Sequence, residues 1–161
     1  REVVKKMKSK WKERIKRYLS LEIAIEYKSC LYFSCIMFFY FVYLMGQKIF
    51  YANVVNMFEM ILTAYGIVYI QVYLLGNFDE GEQLGRRNAL YMISCTFLYT
   101  GASFLLNWFE RKIAVTALFF AYMFLVYFFV FLCNKIKRIV DTENLNKMLN
   151  EYKKIQPKER A

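Results

Sequence analysis

The sequence predicts an all-α integral membrane four-helix bundle with amphipathic cytoplasmic helices at both ends. Four apolar runs, each about the ~20 residues needed to cross a hydrocarbon core, follow one another along 161 residues. One Pro and six Gly leave few places to break a helix. Of 23 Lys and Arg, ten lie in residues 1–28 and eight in 134–161, so both ends are basic. A composition of 58% hydrophobic and 20% aromatic residues is too apolar for an ordinary soluble domain of this size.

Residues 1–28 form the first unit. Val4, Met7, Trp11, Ile15 and Tyr18 recur every three or four positions between Lys and Arg clusters, which is the pattern of a basic amphipathic helix. The apolar run behind it is bulky and lacks a small-residue cleavage site, so no cleaved leader is expected. Lys10, Trp11, Lys12, Lys16 and Arg17 are the expected contact residues for anionic lipid or a protein partner. A position beside the membrane favours lipid over nucleic acid for this charge.

The transmembrane domain covers 29–133, with spans at about 29–46, 50–75, 89–109 and 113–133. The first span has no charge, and a short link through Gln47 and Lys48 makes it an antiparallel neighbour of the second. Within the second, Ala52, Asn56, Glu59, Thr63, Gly66, Ile70 and Tyr73 follow by three or four and share one face, expected to point into the bundle. Gly66 there would permit close helix approach. Glu59 is the intramembrane carboxylate; an ionised one costs on the order of 2.5 kcal/mol or more against lipid, so it should face protein. Glu59, Asn56 and Thr63, with Tyr99 and Thr100 at similar depth on the third span as hydrogen-bond partners, make up the expected intramembrane polar site.

Gly76 to Asn88, GNFDEGEQLGRRN, reads as a solvated loop in which Asp79, Glu80 and Glu82 pair with Arg86 and Arg87. Asp79 and Glu80 are its expected contacts to a basic partner. It lacks the ligand alternation of a calcium loop, and no metal or cofactor is expected. The third span is the most polar; the fourth, from Ile113 to Cys133, is almost wholly apolar and aromatic. Cys30, Cys35, Cys95 and Cys133 form no Cys-x-x-Cys pair and read as free thiols among helices. The tail, 134–161, begins with Lys135, Lys137 and Arg138 and places Leu145, Met148, Leu149 and Tyr152 on one side, a second amphipathic helix ending near Pro157. Charge bias puts both termini and the middle loop on the cytoplasmic side of a cell membrane.

With no His, a His-ligated metal, a His general base and a Ser-His-Asp triad are excluded, and no enzyme is expected. The segment NKIKRIVDTENLNKMLNEYKK (134–154), together with four spans and short outer turns, resembles the small four-span membrane proteins of unknown biochemistry encoded beside LytTR-type transcription regulators in Gram-positive bacteria. That resemblance implies a regulatory role, in some members the restraint of a cognate regulator; no functional residue is carried over. The function expected is a non-enzymatic integral membrane regulator or accessory subunit that binds a cytoplasmic or membrane protein partner, or a second copy of itself, and anionic membrane lipids. The alternative is a small proton- or cation-coupled transporter using Glu59.

Overall fold

A chain start without Pro or Gly has nothing to interrupt its hydrogen-bond ladder, and it folds as one helix, α1 (Glu2–Gly46). The computed structural model describes the backbone of residues 2–80 and 85–159 and the side chains of 11–79 and 85–153. Among the described residues the fold is all-helical: α1 is followed by α2 (Val54–Tyr73), a short 3-10 turn (Phe78–Glu80), α3 (Arg86–Leu105) and α4 (Ile113–Glu159). The basic amphipathic segment and the first apolar run are therefore one rod, and so are the fourth apolar run and the tail, with no break near 28 or 134.

Three helices contain stretches long and apolar enough to cross a membrane: Trp11–Gly46 within α1, Val54–Tyr73, and Ile113–Lys153 within α4. α3 falls short, because Arg86, Arg87 and Asn88 open it and Ser94, Thr96, Thr100 and Ser103 dilute its apolar content. The apolar helices associate this chain with a membrane.

The connections are longer than the sequence suggested, and identifiable residues set their ends. α2 starts at Val54 rather than Phe50 because Asn53 caps it, its side chain accepting from the Val55 amide at 2.9 Å. Phe50 and Tyr51 are left outside the helix and exposed, as aromatic residues are at a membrane boundary. α3 stops at Leu105, and the chain then turns through Asn107 at φ 58°, a left-handed conformation that Asn tolerates better than most residues. This turn folds Trp108 and Phe109 back underneath the bundle, where both are buried.

α1 packs along α2 and α3 along α4, two antiparallel hairpins, while α1 and α4 touch at few points. The core between the hairpins is built from aromatic layers. At the turn end, Phe39, Phe109 and Phe119 lie 5.1–5.4 Å apart, Phe39 and Phe109 edge to face. Toward the end where the basic rods emerge, Tyr32 stacks on Tyr127 at 4.7 Å, with Tyr99 and Phe78 against them. Outside this core, Phe38, Phe97, Leu118 and Phe129 form an exposed apolar belt.

Candidate functional site

On α1 the residues facing the core are Ile25, Lys28, Ser29, Tyr32 and Ile36, spaced by three and four. Lys28 thus belongs to the buried face. Its counter-charge comes from the connection after α2: Gly76 and Asn77 both take positive φ, 68° and 57°, and the chain doubles back so that Phe78 and Asp79 enter the bundle. The Lys28 ammonium lies 2.7 Å from Asp79 Oδ1, and the two side chains are 6% and 0% exposed. Lys28 also donates to Asn77 Oδ1.

The pair is held from the other hairpin. Asn134 on α4 donates from Nδ2 to the Asp79 carbonyl at 3.2 Å. Two turns further in along α4, the Tyr127 hydroxyl donates to Gln71 Oε1 on α2 at 3.2 Å, and Gln71 is fully buried. The Tyr32 hydroxyl lies beside the Gln71 amide, and the Cys95 thiol beside the Tyr127 hydroxyl. Residues from α1, α2, α3, α4 and the α2–α3 connection therefore meet in one buried polar centre. Asp79 Oδ2, Ser29 Oγ, Tyr32 Oη and Gln71 Nε2 are buried without a hydrogen-bond partner of good geometry among the described residues, so this polar centre has unmet capacity for water.

The polar site expected around Glu59 is not assembled. Glu59 is half-buried and accepts a hydrogen bond from Trp108 Nε1 at 3.2 Å. Tyr99 is buried and donates to the Ala64 carbonyl at 3.5 Å, and Thr100 donates within its own helix to the Thr96 carbonyl at 2.8 Å. The Tyr99–Ala64 contact fixes the register: Glu59, five residues before Ala64, lies level with the end of α3, about one turn beyond Thr100. Its partner therefore comes from the turn that follows α3.

The buried face of α2 is Met60, Ala64, Ile67, Val68, Gln71 and Val72, one residue on from the predicted stripe. Asn56 and Thr63 are half-buried at its margin, Asn56 donating to the Tyr40 hydroxyl at 3.4 Å. Gly66 and Tyr73 point away, and a Cβ added at Gly66 would meet nothing within 4 Å, so Gly66 brings no helix close. The rotation follows from where Glu59 finds its partner: satisfied at the margin by an indole, it leaves the core to bulky apolar side chains.

Asp79, predicted as an exposed contact paired with Arg86 or Arg87, is instead the buried partner of Lys28. Trp11, Lys12, Lys16 and Arg17 are exposed on α1; the side chains of Lys10 and Glu80 lie outside the described residues. At the opposite end, Glu110 is held below the usual carboxylate range by its hydrogen bond and 2.8 Å ion pair with Lys112. Among the described residues no group of three or more Cys, Asp or Glu side chains could hold a metal ion.

Sequence reasoning missed Gln71, Lys28, Tyr127 and Asn134 as one constellation. The signal was the spacing: Lys28 falls between Ile25 and Tyr32 on one helix face, and Asn134 lies seven residues after Tyr127 on another. Set beside family models, curated proteins and solved structures, the chain matches none of them.

Proposed function

We propose that this chain is a non-enzymatic membrane regulator or accessory subunit: a four-span bundle with both termini cytoplasmic, whose two helical rods hold a cytoplasmic protein partner. The observation that carries the reading is that α1 and α4 leave the bundle at the same end as unbroken helices, each still exposing an apolar stripe. On α1 the stripe is Trp11, Ile15 and Tyr18; on α4 it is Leu145, Met148, Leu149 and Tyr152. Beyond Ile25 and Asn134, which still meet the bundle, the rods run some 23 and 25 residues, about 35 and 38 Å at the helical rise. Apolar stripes flanked by charge at helical spacing suit a partner helix or groove.

A helix with no Pro or Gly before Gly46 has no site for a sharp bend. That supports α1 continuing outward from its span rather than lying flat on the lipid surface, and so favours a protein over the headgroup plane as the main contact of Trp11. Counting α3 as the fourth span rests on its 20 residues and on its packing along α4, which shields part of its polar surface. Transport through Glu59 gains no support from a carboxylate bound to an indole near the end of its helix.

Photo-crosslinking in the native membrane tests the reading. A benzophenone amino acid at Ile15 or Leu149 should trap the same cytoplasmic protein, and one at Leu118 in the apolar belt should not. Crosslinks from both rods to lipid alone would contradict the proposal.

A further inference from the structure

α1 and α4 pack loosely, touching at few points. Deep in the bundle they are joined where the Tyr122 hydroxyl donates to the Cys35 carbonyl at 3.0 Å. From that level outward a cavity of about 480 Å³ opens between them, lined along α1 from Cys35 back to Ala24. The eleven helical steps from Ala24 to Cys35 make this groove about 16 Å long, close to half of a ~30 Å hydrocarbon core, the depth of one leaflet.

The chemistry of the groove is graded along its length. The deep part is walled by Leu31 and Val126, the middle by Lys28, Phe129 and Val130, and the mouth by Ala24 and Lys137. Lys28 is committed to Asp79. Lys137 is exposed and has no ion pair among the described residues, so an ammonium stands at the open end of an apolar slot. A cavity of about 480 Å³ falls within the ~300–1,000 Å³ range of sites that take a small molecule.

We propose that this groove is a specific site for one anionic phospholipid of the leaflet on the basic side, an acyl chain lying in the slot and the phosphate on Lys137. The occupant fits on two counts: an apolar length of one leaflet and a cation at headgroup level. The inference rests on the membrane reading of the bundle. A lipid wedged there would set the spread of the two rods, since both walls belong to the helices that carry them.

The test uses the full chain extracted in mild detergent, supplied with phosphatidylglycerol and phosphatidylcholine in equal amounts, and analysed by native mass spectrometry. One phosphatidylglycerol per chain should be retained. Lys137→Gln should lower its retention several-fold, and Lys147→Gln, further along the same rod, should not. Val130→Trp should fill the slot and abolish retention of either lipid; because Lys137 is exposed, its variant decides the outcome even if Val130→Trp does not fold. Equal losses from Lys137→Gln and Lys147→Gln would show diffuse attraction and overturn the proposal, as would the absence of any retained lipid. Alkaline washing of membranes separates the two readings: a chain released by the wash defeats the membrane reading, and one that stays but retains no phosphatidylglycerol defeats only the lipid site.

Discussion

Lys28 and Asp79 are 51 positions apart, and neither has the sequence surroundings of a buried residue. Lys28 reads as the edge of an apolar run, and Asp79 as part of a polar loop of the kind that stays in water. Their union depends on two successive left-handed residues, Gly76 and Asn77, which no pattern of apolar spacing reports. A buried charge left alone is far costlier than the pair is stabilising, so removing either partner should lower stability by about 3–5 kcal/mol. Lys28→Met and Asp79→Asn made together should cost clearly less than the sum of the two. Unfolding by denaturing detergent, followed by circular dichroism on all three variants, gives the comparison; additive losses would mean that the two side chains are not coupled. Glu59 illustrates the opposite case. That it needed a protein partner was legible from its place in an apolar run, but the partner itself was hidden by the early stop of α3 at Leu105.

At the scale of the helix, existence and approximate extent were readable while the facing was not. Each of the four apolar runs is mostly helical; the starts of the last three are displaced by up to four residues, the Asn53 cap accounting for the largest shift, while the first is continuous with the helix that begins at Glu2. The face of α2 was misjudged by one position because polar and small residues were taken to mark the interior. In the structure Gln71 alone of its polar residues is fully buried, and Tyr65, Tyr69 and Tyr73 stack along the outside, Tyr69 and Tyr73 at 4.6 Å. Two substitutions separate the faces. Gly66→Ala should be neutral or stabilising by up to ~1 kcal/mol, since the added methyl meets open space and helix propensity improves. Ala64→Leu should destabilise by about 1–3 kcal/mol, because Ala64 is fully buried and its carbonyl receives the Tyr99 hydroxyl. Thermal unfolding in one detergent should rank Gly66→Ala above the parent and Ala64→Leu below it; the reverse order would restore the stripe through Glu59 and Gly66 as the packed face.

For the molecule as a whole, the orientation we propose in the membrane rests on two facts of different origin. The first is charge: the rods carry eighteen of the 23 Lys and Arg, and the two turns at the other end carry only Lys48, Arg111 and Lys112. The second is geometry: the rods and the α2–α3 connection come to one end, where the Lys28–Asp79 pair and Asn134 tie that connection to α1 and α4. In the proposed topology a charge bias of this size would hold the basic end in the cytoplasm, and only an even number of crossings would keep both rods there. α3 decides whether the number is even, because its composition alone does not mark it as a crossing. In a background with the four native cysteines replaced by Ser, single cysteines at Ser20 and Asn150 should react with a membrane-impermeant maleimide only after the cells are opened. Cysteines at Phe50 and Ile113, exposed at the turn end, should react in intact cells. If Phe50 labels from outside while Ile113 does not, α3 does not cross, the chain has three spans or fewer, and the two rods cannot share a cytoplasmic partner.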